Sequence, residues 1–291
     1  MDFIHELKDR TVFIVGSQKN AGKTTFLNYA MNRLRGTGSM GAFSIGVDGE
    51  EKDIIFGTLK PHVRAQRGDI LLCSDSSLKH SDLSCEILNV YPFNTAIGKP
   101  VLLRALRAGR AEISGPENNS QLSEILTDMR RHGAGTIFID GAADRTTQVA
   151  QEEKPVFVYV AKVEPENLDL TASEIKLVWA TAGVPLWKTG DRTENAFLSV
   201  DGALTPEKVP PRTENSTTLI VEDPTKIFLS WSEWQALNAR FQVFFRRKPD
   251  LAAFIVNLYN VSRREFEKKL ASPALTERIV YNPYQITATG C

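Results

Sequence analysis

Thr11-Val12-Phe13-Ile14-Val15-Gly16-Ser17-Gln18-Lys19-Asn20-Ala21-Gly22-Lys23-Thr24-Thr25 is the stretch on which the reading of this chain turns. The apolar run Val12–Val15 breaks at Gly16, and a polar loop closes on Gly22-Lys23-Thr24. Phe26, Leu27, Tyr29, Ala30, Met31 and Leu34 then recur at helical spacing. A buried strand, a glycine-bounded loop, Gly-Lys-Thr and a helix, in that order, form the arrangement that cradles phosphate. Loop amides and a helix N-terminus have N–H groups with no intrahelical acceptor, and these can point at an anion. Gly16, Ser17, Gln18, Lys19, Asn20, Ala21, Gly22, Lys23, Thr24 and Thr25 are therefore the candidate nucleotide-binding residues. Lys23 is expected to reach the β- and γ-phosphates, and the Thr24 hydroxyl to ligate Mg²⁺. One position departs from the usual spacing. Ser17 stands where the pattern has its first glycine, and Gly16 lies one residue earlier, so the loop is one residue longer if Gly16 makes the turn.

Two later strand ends carry carboxylates. Ala42-Phe43-Ser44-Ile45-Gly46-Val47 reads as a strand running into Asp48-Gly49-Glu50-Glu51. Open α/β sheets place ligand-binding groups at this carboxyl edge. Asp48 is expected to hold Mg²⁺ or orient an attacking water, and Glu50, Glu51 and Asp53 are weaker candidates for the same work. Thr136-Ile137-Phe138-Ile139-Asp140-Gly141 is an apolar strand ending in Asp beside Gly. That is the form of the second acidic motif of P-loop nucleotide hydrolases, whose Asp holds Mg²⁺. Lys23, Asp48 and Asp140 are thus the candidate catalytic residues, and Thr24, Asp48 and Asp140 the candidate metal ligands. ATP and Mg²⁺ are the expected cofactors. ATP is preferred to GTP because no Asn-Lys-x-Asp motif is found; Lys188-Thr189-Gly190-Asp191 is the nearest and does not fit. Arg145, beyond Asp140, is a candidate for stabilising phosphate charge.

Composition narrows the partners. Lys plus Arg and Asp plus Glu each number 35, so the formal net charge is zero, which removes any general argument for nucleic acid. No apolar run approaches the length needed to span a membrane. The three cysteines, Cys73, Cys85 and Cys291, form no C-x-x-C pair. Their odd number argues against a disulfide framework and for a reducing cytoplasm. The polar start Met1–Glu6 does not read as a signal peptide. The four histidines show no metal-ligand spacing.

Strand and helix patterns alternate over much of the chain, predicting an α/β fold, a P-loop NTPase with a mainly parallel sheet and helices on both faces. Many short strands between about 54 and 114 predict an antiparallel β insertion, with 100–114 as two strands turning near Ala108-Gly109. Pro206, Pro210 and Pro211 mark a change of character. Residues 1–204 are expected to form the nucleotide-binding domain and 205–291 a C-terminal α/β extension. Within that extension 226–229 reads as a strand, and Ser230 reads as the cap of a helix running to about Phe244.

Four stretches together carry a resemblance. They are Lys19–Thr25, Ser44–Glu50, Gly98 through Pro116 with Arg104-Ala105 and Gln121 just beyond, and Ile139–Ala142. In this order they are similar to the P-loop subunit of the lysine 5,6-aminomutase reactivase. The general class resembles, more distantly, dethiobiotin synthetase and the molybdopterin-guanine-dinucleotide accessory proteins. The resemblance covers roughly residues 11–145. It implies an ATPase that works with a second reactivase subunit to restore an adenosylcobalamin-dependent aminomutase. It places Lys23 and Thr24 on the nucleotide and Asp48 and Asp140 at the metal. The residues alone show a Mg-nucleotide site with no nucleophile constellation and no evident second pocket. That suits an ATPase whose output is a conformational change. The alternatives are a small-molecule kinase or ATP-dependent ligase, with a pocket lined by Asp48, Arg104 and Arg145, or a binding protein that senses nucleotide.

Overall fold

Strand β1 (Thr11–Gly16) is buried from Thr11 through Val15, as an apolar run covered on both faces must be. A computed structural model describes residues 3–45, 62–79, 81–141, 155–188, 197–211 and 217–284. From β1 the chain passes through α1 (Lys23–Arg33) into β2 (Met40–Ile45). Next come β3 (Val63–Ala65), β4 (Ile70–Ser74), the short α2 (Asp75–Leu78), β5 (Cys85–Val90), β6 (Pro100–Ala105) and β7 (Gly109–Ala111). Helix α3 (Asn119–Arg131) leads to β8 (Thr136–Gly141), and β9 (Val156–Val163) leads to α4 (Leu168–Ala182). The remainder is β10 (Phe197–Val200), β11 (Thr218–Val221), α5 (Trp231–Asn238), β12 (Gln242–Phe245), β13 (Asp250–Leu258), α6 (Arg263–Leu270), α7 (Pro273–Thr276) and β14 (Ile279–Tyr281).

Among the described residues nine strands make one sheet in the order β14-β13-β9-β1-β8-β2-β4-β6-β5. All neighbours from β14 to β4 are parallel, and β6 alone runs against its neighbours. Helices α3, α4 and α6 cover one face, where Leu122, Ile175 and Phe266 pack with Phe43, Ile139 and Phe254. Helix α1 covers the other, where Phe26, Leu27 and Met31 pack with Ile14, Phe138 and Ile255. The protein is therefore an α/β fold with a large, mostly parallel sheet and helices on both faces.

The described part of the region expected to be an antiparallel β insertion, about 54–114, largely forms the edge of this sheet. Strand β4 adds in parallel to β2, and β6 and β5 continue outward in antiparallel pairing. The expected hairpin over 100–114 does not form. Strand β6 pairs with β4 and β5, while β7 pairs with β3 in a two-stranded antiparallel ribbon. Burial explains this: Val63, Ala65 and Ala111 cover the sheet face beside α1, whereas Leu102 and Leu103 of β6 fill both layers.

A second, three-stranded parallel sheet, β10-β11-β12, has its own core of Leu219, Val221, Trp234 and Phe245. Helix α5 stops at Asn238, short of the expected Phe244, and β12 begins at Gln242. Phe241, Val243 and Phe245 are buried while Gln242 is exposed, a two-residue period that suits a strand. Of the expected strand at 226–229, Lys226 ends a 3-10 turn, Pro224–Lys226, and Ile227 makes an isolated bridge to Leu204. The expected boundary near 205 falls inside this lobe. The chain then rejoins the main sheet, with β13 lying beside β9.

Candidate functional site

The loop between β1 and α1 lies at the carboxyl edge in the middle of the sheet. Strand β1 is flanked there by β8 and β9, both parallel to it. Ser17 N–H donates to the Val160 carbonyl at 2.9 Å, tying the start of the loop to β9. Left-handed backbone occurs at Asn20 (φ 60°) and at Gly22 (φ 102°), so the chain turns there and not at Gly16. Gly16 serves a different need. A Cβ on it would lie 3.0 Å from Cδ of Lys23 and 3.1 Å from Nζ, so the missing side chain leaves room for Lys23 to fold back over the strand end. Gly22 occupies the cap of α1 and has no side chain with which to close the first turn. The first intrahelical bond there is Phe26 N–H to the Gly22 carbonyl at 2.9 Å. The helix therefore opens with amide donors aimed outward, the arrangement that binds anions.

Thr24 and Asp140 meet across this edge. The Thr24 hydroxyl donates to Oδ2 of Asp140 at 2.7 Å, joining α1 to the end of β8. The second carboxylate oxygen, Oδ1, is buried without a hydrogen-bond partner. Burial pushes the Asp140 carboxyl above its usual range, opposed by the Thr24 hydrogen bond and by the positive charge of Lys23. A buried, under-satisfied carboxylate oxygen beside a hydroxyl is a pair of hard oxygen donors, and it fits Mg²⁺. Among the described residues no group of three His, Cys, Asp or Glu side chains gathers to form an all-protein metal cage. Mg²⁺ commonly takes one or two protein oxygens and completes its shell with phosphate and water, so this pair is sufficient.

Gln18, Lys19, Asn20 and Thr25 are exposed on or next to the loop, and Ala21 is buried beneath it. The Ser17 hydroxyl is buried without a partner at the start of the loop. Asp48, Glu50, Glu51, Asp53 and Arg145 lie outside the described residues, as does Thr189–Asp191. Strand β2 does approach the site, because Ser44 is the register partner of Asp140. Arg104 is not brought there. It pairs with Glu86 at 3.0 Å and donates to the His132 carbonyl at 3.2 Å. That places it beside Ile70 at the amino end of β4, the opposite edge of the sheet. Cys73 is buried, its thiol pushed up to about 12 by that burial, and both described cysteines are free. A thiol so placed is inert as a nucleophile.

One residue at the loop escaped the sequence reading. Asn257 of β13 is 4% exposed, and its Nδ2 donates to the Ala21 carbonyl at 2.9 Å. The same nitrogen lies 3.0 Å from where a Cβ on Gly22 would stand. Asn282, just past β14, steadies the strand on either side of Asn257: its side-chain oxygen accepts from Leu258 N–H at 2.8 Å and its backbone N–H donates to the Val256 carbonyl. The available signal was a lone amide in the apolar run Ala252–Leu258. Asn257→Ala strands the Ala21 carbonyl and opens a gap under the loop. It should lower stability by about 1–3 kcal/mol, measured by urea unfolding, with weaker Mg·ATP binding by calorimetry.

No protein family, curated protein or solved structure matches this chain. No helix among the described residues is long and apolar enough to cross a membrane.

Proposed function

We propose that this protein is a Mg²⁺-dependent nucleotide hydrolase of the P-loop kind, using ATP and acting on a protein partner in the reducing cytoplasm. The observation that carries the reading is the Thr24–Asp140 contact with its orphaned carboxylate oxygen. It joins the helix after the loop to the strand beside β1, where nucleotide hydrolases of this kind hold their metal. In this reading, the amides from Ser17 to Thr25 bind the phosphates and exclude water from one side of them. Lys23, folded over Gly16, supplies positive charge to the β- and γ-phosphates. Thr24 and Asp140 would hold Mg²⁺, which would neutralise phosphate charge. Asp48, which follows β2 in the sequence, would orient the attacking water or help to hold the metal.

The resemblance to the reactivase subunit supplies the proposed client, an adenosylcobalamin-dependent aminomutase with a second reactivase subunit. The alternative small-molecule kinase or ligase loses one of its three pocket residues, since Arg104 faces the other edge. The test is steady-state ATP hydrolysis with and without a damaged, cobalamin-loaded aminomutase and the second subunit. Slow turnover alone and stimulation by the client are expected. Fast turnover that ignores the client, or a phosphorylated small-molecule product, would overturn the reading.

A further inference from the structure

The carboxyl edge continues past the loop over β9 and β13, and there the surface carries an aromatic ring. Tyr259 follows directly on β13 and keeps 51% of its area exposed. Isolated exposed apolar side chains are ordinary, but this one is held in place. Its backbone N–H donates to the Val163 carbonyl at 2.9 Å. Lys162 Nζ lies 5.0 Å from the ring centroid, in cation–π range. Lys162 is in turn fixed by Glu164 at 2.7 Å. The register partner of Lys162 is Asn257, the residue that holds the Ala21 carbonyl. The ring therefore stands two residues along from the contact that anchors the loop, on the side away from Asp140.

We propose that Tyr259 is the platform on which the base of the bound nucleotide stacks, with Lys162 orienting the ring from behind. This rests on the nucleotide reading above and adds where the base lies and how it is selected. The phosphates occupy the loop and the Thr24–Asp140 side. The base must leave the loop in another direction, and β9 and β13 are the strands on the other flank of β1. An aromatic face favours a large π surface and carries no hydrogen-bond code. The site should thus prefer purine to pyrimidine triphosphates and discriminate weakly between ATP and GTP.

The test is calorimetry of the full chain with Mg·ATP, Mg·CTP and Mg·tripolyphosphate, which has phosphates and no base. The parent should bind ATP more tightly than CTP or tripolyphosphate. Tyr259→Ala should weaken ATP about tenfold, leave tripolyphosphate unchanged and narrow the gap between ATP and CTP. Tyr259→Trp should retain ATP affinity. Equal ATP binding by parent and Tyr259→Ala overturns the proposal, as does a loss of tripolyphosphate matching the loss of ATP. A parent that binds tripolyphosphate and ATP equally well rejects the stacking alone. A parent that binds neither rejects the nucleotide reading with it.

Discussion

Lys23→Ala should abolish the thermal stabilisation that Mg·ATP gives the parent protein and lower any ATP hydrolysis by about 10²-fold or more. Lys23 is half-buried and opens α1, with its stem against Gly16. Truncation leaves the loop backbone, the Asn257 anchor and the sheet untouched, so the variant should fold. It removes the cation that lies against the strand end at Gly16. The check is a thermal-shift titration with Mg·ATP, paired with a steady-state assay at saturating nucleotide. A variant that keeps the parent's nucleotide shift would sink the phosphate role assigned to Lys23, because the loop and helix amides alone would then suffice.

Asp140→Asn is expected to act in opposite directions on the free and bound protein. The amide oxygen can still accept from Thr24, and no buried charge remains to be desolvated. The ligand-free variant should therefore be at least as stable as the parent near neutral pH. It should lose the Mg²⁺-dependent part of nucleotide stabilisation, the whole of which is about 2.7 kcal/mol at a ligand concentration of 100 Kd. The pH dependence follows from the raised carboxyl. Between the unfolded and folded pKa values the native state holds the proton that the unfolded chain has released. The native state then binds more protons, and stability falls as pH rises through that window. Below both values the contribution is constant, and above the folded value the cost of the buried charge is fully present. Mg²⁺ requires the carboxylate, so its affinity should rise with pH over the same window. Urea unfolding of parent and variant across that range, with and without Mg·ATP, reads both effects. A parent curve whose slope matches the variant's would show that Asp140 does not titrate as burial demands.

The two strongest local signals were legible because their cause is local. Val12–Val15 is apolar without alternation, so it reads as a strand covered on both faces, and Phe26, Leu27, Ala30 and Met31 repeat on one side of a helix. Thr136–Asp140 reads the same way. The misread segments are those where the period is short or shared. Around Phe241–Phe245 the apolar residues that continue a helical pattern also satisfy alternation, and the lobe core selected the strand. Over 100–114 a glycine between two short strands suggested a hairpin, but each strand gained more burial with a different neighbour.

By itself the sequence determined that a glycine-bounded loop joins a buried strand to an amphipathic helix, and that an apolar strand elsewhere ends in Asp140. Contiguous residues set those features through backbone geometry and side-chain period. The tertiary structure alone decided that β8 lies beside β1, so that Thr24 and Asp140 meet although they are 116 positions apart. It also decided that β13 returns to the main sheet and sets Asn257 under Ala21 from 236 positions away. Strand order in a parallel sheet is fixed by how crossover helices bury both faces at once. That condition belongs to the whole core, and no window of sequence contains it.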